Sequence, residues 1–123
     1  MSDDAFSMSV RPVTAGVVLD LKGDVDAHTA PGVLAEIREL VLHEGQLLVL
    51  DVSGMRFCDS SGISAFIAAR NHAAAARAEV VLVGVPRQTL RVLGMIGLDA
   101  LFTFRPDLDD ALSSRDASRT GGA

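Results

Sequence analysis

The densest group of small reactive side chains is Asp59-Ser60-Ser61-Gly62, set directly behind the apolar pair Phe57-Cys58 and ahead of the helical stripe Ile63, Phe66, Ile67. A serine hydroxyl in such a place can serve as a nucleophile or accept a modification. Nucleophilic use needs a base within hydrogen-bond reach. His28, His43 and His72 fall in segments that read as helical or surface, at no spacing that suggests a base or a metal site. A nucleophile elbow needs a glycine two residues before the serine, and Asp59-Ser60-Ser61-Gly62-Ile63 lacks it. Neither a Walker-type phosphate loop nor a dinucleotide-binding glycine fingerprint is present. No catalytic residue, metal or cofactor is therefore expected.

Asp24, Asp26 and Asp59 are the carboxylates that an α/β fold could bring to one sheet edge, because each precedes a helix. Such a group could hold a divalent cation or form a glycosidase-like pair. Aspartates ahead of helices also cap the first turn and complement its dipole, and capping is the reading adopted. A cap alone does not explain two adjacent hydroxyls and a glycine, so the Ser60 loop reads as exposed and shaped for modification.

The elements that position these residues follow from hydropathy. Residues 8–13 and 17–21 read as a hairpin around Ala15-Gly16, which Gly23-Asp24-Val25-Asp26 ends. Val33, Leu34, Ile37, Leu40 and Val41 mark one helix face, with Thr29 as N-cap, Pro31 in the first turn and Gly45 as the stop. The apolar runs 47–52 and 80–85 have the pattern of strands buried on both faces. A second helix follows Asp59. Pro86 opens a third, with Leu90, Leu93 and Ile96 inward and Gly97 closing it. A strand over 101–104 and a short helix over 107–112 complete a mixed α/β sheet of four to five strands covered by about four helices. The division is an extension over 1–7, one domain over 8–112 and a disordered tail over 113–123.

Composition bounds the function. With 49% hydrophobic residues in 123, five Phe and neither Trp nor Tyr, the chain supports one core built from aliphatic side chains. A net charge of -5 and scattered basic residues argue against nucleic acid, which needs clustered Lys and Arg. Asp3 and Asp4 stand where a signal peptide carries positive charge, and no apolar run approaches the roughly 20 residues of a membrane span. Cys58 is the lone cysteine, which fits a reducing compartment and a cytoplasmic protein. Its default role is core packing, with redox sensing as the alternative.

The segment Phe57-Cys58-Asp59-Ser60-Ser61-Gly62-Ile63 resembles the phosphorylation loop of anti-sigma factor antagonists of the STAS domain family. Gly23-Asp24-Val25-Asp26-Ala27-His28-Thr29-Ala30 resembles the family's second signature and Leu93-Gly94-Met95-Ile96-Gly97-Leu98 its third. The resemblance implies Ser60 as phosphoacceptor, with Asp26, Asp59, Ser61 and Gly62 in the partner-binding surface. It implies an anti-sigma factor with serine kinase activity as partner, a serine phosphatase that resets the cycle, and control of sigma-factor-dependent transcription. Dimerisation is left open, as is a scaffold or transport-associated role without a phosphoryl cycle. Ser64 departs from the family's usual glycine, and Cys58 from its larger aliphatic residue. A phosphate on Ser60 is expected to sit among free N–H groups at the start of the second helix.

Overall fold

A two-residue turn at Thr14-Ala15 folds β1 (Phe6–Val13) antiparallel onto β2 (Gly16–Val25), with Val13 opposite Gly16. The computed structural model describes residues 6–113. After β2 come α1 (Ala30–Glu39), β3 (Leu47–Cys58), α2 (Ser60–Ala75), β4 (Glu79–Val83), α3 (Arg87–Met95), a 3-10 turn (Asp99–Leu101) and β5 (Thr103–Arg105). A last helix, α4, occupies 108–113. The strands form one sheet in the order β1-β2-β3-β4-β5, and all pairs after the first are parallel. Five strands and four helices thus form the mixed α/β architecture expected. β1 begins at Phe6, inside the segment read as an extension, and the tail over 114–123 lies outside the described residues.

Each crossover steps one strand in the same direction. Right-handed crossovers, the near-universal hand, therefore put α1, α2 and α3 on one face. The main core bears this out for α1 and α2: Leu19, Leu21, Leu48, Leu50, Val52 and Leu82 of the sheet pack with Val33 and Ile37 of α1 and with Ala65, Phe66, Ala69 and Ala73 of α2. A smaller cluster on the reverse face joins Val18, Leu47, Val49, Val81 and Val83 to Ala111 of α4, with Leu108 against it. Strands with apolar side chains on both faces are what the unbroken Leu and Val runs dictate.

Several boundaries differ from the sequence reading, each for a local reason. α1 stops at Glu39 rather than continuing to Gly45, because Leu40 turns extended and leads Leu42 into the core while Val41 is 73% exposed. Thr29 occupies the N-cap position but its side chain does not cap the helix. In α3 the buried residues are Thr89 and Leu93, whereas Leu90 and Ile96 are exposed. Gly23 to Val25 stays within β2 instead of ending it.

β3 runs through Ser53-Gly54 by means of two irregularities in its pairing with β2. Asp20 pairs with Asp51 but Lys22 with Gly54, and Gly23 pairs with Met55 but Asp24 with Phe57. Each adds one residue to β3, the count of a β-bulge. After Leu48, Leu50 and Val52, the core-facing residues are accordingly Met55 and Cys58, at intervals of three.

Candidate functional site

The exits of β2 and β3 lie side by side, since Val25 pairs with Cys58 and the Asp59 N–H donates to the Val25 carbonyl at 3.3 Å. Asp59 is extended and caps α2: its Oδ1 accepts from the Ser61 N–H at 2.8 Å and the Gly62 N–H at 3.3 Å. Gly62 is buried against the end of β2. A Cβ there would stand 2.5 Å from Cys58 Sγ and 2.9 Å from the Val25 oxygen, so only glycine lets the first turn of α2 seat this closely. Ser60, the first helical residue, is exposed, and its hydroxyl makes no hydrogen bond among the described residues. Ser61 is half-buried.

The neighbouring loop is tied to itself. Asp26 Oδ1 accepts from the His28 N–H at 2.9 Å and the Thr29 N–H at 3.1 Å, with the Thr29 hydroxyl 3.3 Å away. The Thr29 hydroxyl donates to the Asp24 carbonyl at 2.8 Å and accepts from the Asp26 N–H at 3.0 Å. The Thr29 N–H foremost holds the Asp26 carboxyl below its ordinary 3.8. Desolvation opposes it, and the His28 N–H and Thr29 hydroxyl add to the lowering. Asp24 pairs with Arg56 at 3.5 Å. Among the described residues no three His, Cys, Asp or Glu side chains converge to hold a metal.

One expectation is corrected here. The Ser61 and Gly62 amides that an anion on Ser60 would use are already occupied by Asp59. A phosphoryl group would therefore meet a carboxylate rather than a ring of free N–H groups, which leaves its charge less compensated by the helix.

Cys58 is a free, half-buried thiol that packs against the core. Burial, with the Asp59 charge behind it, pushes its thiol up to about 12, so the reactive thiolate is scarce at neutral pH. His72 is not the free surface residue expected. Its Nε2 lies 2.7 Å from the Leu40 carbonyl and joins α2 to the end of α1. Sequence reasoning passed over Phe57, which is 53% exposed beside the site. No periodicity signals it, because the alternation of β3 breaks at the bulges.

A family model described as the STAS domain matches residues 7–111. The anti-sigma-B factor antagonist of Listeria monocytogenes is 28% identical over 83 residues, covering 68% of this chain and 73% of the relative. The anti-sigma-F factor antagonist RsfB of Mycobacterium tuberculosis is 28% identical over 110 residues, covering 89% of each. Among solved structures, an anti-sigma factor antagonist from Mycobacterium paratuberculosis superposes with a TM-score of 0.79 at 27% identity, covering 93% of this chain and 97% of that one.

Proposed function

The chain belongs to the STAS domain family, and from that premise we propose that it is an anti-sigma factor antagonist whose binding is switched by phosphorylation of Ser60. Unphosphorylated, it holds an anti-sigma factor that is also a serine kinase and so frees a sigma factor. A serine phosphatase restores the binding form. The observation that carries this reading is the exposed, unbonded Ser60 hydroxyl at the first position of α2. The chain acts by binding in the cytoplasm, and the phosphoryl chemistry belongs to its partners. Transfer forms a bond between Ser60 Oγ and the γ-phosphorus of ATP and breaks the bond to the ADP oxygen, while the hydroxyl proton leaves to a base on the kinase.

The switch is electrostatic. Phosphorylation adds about -1.5 to -2 charges beside Asp59 on a surface otherwise free to dock. Like charges brought together at an interface cost several kcal/mol, and about 1.4 kcal/mol is tenfold in affinity, so a loss of ~100-fold from one modified serine is expected. Incubation with ATP and the anti-sigma factor kinases of the same genome, followed by mass spectrometry, should locate phosphate on Ser60. Ser60→Ala should bind its anti-sigma factor whether or not ATP is present, and Ser60→Asp should bind weakly. Equal affinity of the two variants would overturn the mechanism.

A further inference from the structure

We infer that Phe57 is the apolar anchor by which the protein that modifies Ser60 grips this chain, an inference that rests on the reading of Ser60 above. The exposure of Phe57 is a product of the backbone. Once the first irregularity of β3 has brought Met55 inward, plain alternation would carry Phe57 into the core and turn Cys58 out. The second irregularity inserts Arg56, and the result is the reverse: Cys58 packs against the core and Phe57 is 53% exposed. Bulges of this kind re-aim side chains beside functional sites. Of the five phenylalanines, Phe66 and Phe102 are buried and Phe6 and Phe104 pack against the core, so Phe57 alone offers its ring to solvent.

Its position suits a docking partner. Pairing of β3 with β4 ends at Asp51 opposite Val83, so residues 52–58 overshoot β4 and are paired by β2 alone. Three residues of chain span at most about 11 Å, which places Phe57 and Ser60 within one interface footprint. Aromatic rings are enriched where interfaces are fully desolvated. Asp24 pairs with Phe57 across the ladder, Asp59 follows two residues on, and the neighbouring Arg56 is paired to Asp24, so Asp59 adds an uncompensated negative charge near the ring on a chain of net charge -5. The occupant is a protein with an apolar pocket rimmed by Lys and Arg, next to its bound nucleotide phosphates.

The test titrates the anti-sigma factor kinase that phosphorylates the wild-type chain, without ATP, against wild type, Phe57→Ala and Phe57→Leu by calorimetry, with thermal melts of each variant. Phe57→Ala should bind about tenfold or more weakly and Phe57→Leu in between, with melting temperatures unchanged. Wild-type affinity in Phe57→Ala overturns the inference while leaving the Ser60 switch intact. Weakened binding accompanied by a lowered melting temperature also overturns it, since the ring would then be supporting the fold. If no such kinase binds or modifies the wild-type chain, the reading of Ser60 fails and the anchor falls with it.

Discussion

Two adjacent loops each bring an aspartate and a hydroxyl together, and they use them in opposite ways. After β2, Asp26 and Thr29 bond to each other and to the surrounding backbone, so the Thr29 hydroxyl both donates and accepts within its own turn. After β3, the Asp59 carboxylate bonds only forward to the amides of Ser61 and Gly62, and the Ser60 hydroxyl between them is left free. The residue types are nearly the same; the order in the chain decides. A hydroxyl three residues behind its aspartate closes the turn, whereas one immediately behind it is lifted onto the helix end.

That contrast can be broken or sharpened by substitution, taken from the largest effect downward. Gly62→Ala places a methyl 2.5 Å from Cys58 Sγ and 2.9 Å from the Val25 oxygen, and overpacking of this kind costs about 1–3 kcal/mol in urea unfolding. Adding Cys58→Ala should recover only part of the loss, because the Val25 carbonyl remains. Full recovery would show that the two loops are not locked at that carbonyl.

Asp59→Ala removes the α2 cap and should cost about 1 kcal/mol, read from the same unfolding curves. Thr29→Ala should destabilise by a similar or smaller amount, about 0.5–1.5 kcal/mol, while the phosphate incorporated by the kinase stays at the wild-type level. Phosphate found on Thr29 in the wild-type chain would break the contrast outright.

The smallest effect is in pH. Asp26 sits below its ordinary 3.8 in the folded chain, so its contribution is complete above that value and is lost as pH falls through the lower folded value. The difference in melting temperature between wild type and Asp26→Ala should therefore shrink only below about pH 3.8. Asp20 has the opposite sign. Burial first, then the charge of Asp51 opposite it, raises its carboxyl, so its contribution favours the folded chain at low pH and declines as pH rises through the folded value. Asp20→Asn removes this counter-trend and isolates the Asp26 term.

The order of elements along the chain and the helix after Asp59 are legible in the sequence because long Leu and Val runs and a charged cap are local signals. The errors lie where tertiary contacts override local ones. Leu40 satisfies the helical period of α1, yet it is buried by an extended turn that also takes in Leu42, and Val41 at the next position points to water. Ser53-Gly54 has the composition of a turn but lies within a strand, because a parallel neighbour holds an extra residue there in pairing. Thr89 displaces Leu90 from the buried side of α3, a one-position rotation that a three-residue pattern cannot resolve. At the site, the Asp59 cap was foreseeable; the occupation of both amides behind it required coordinates.

The short helix α4 has a role out of proportion to its length. Its Ala111 and Leu108 shield Val18, Val49, Val81 and Val83 on the side of the sheet away from α1 and α2. Were it displaced, by a protease or by an ill-placed fusion, parallel strands would present a bare aliphatic strip, and the molecule would become adhesive toward its own copies. A few residues thus cover the aliphatic face of the sheet, remote in sequence from Ser60.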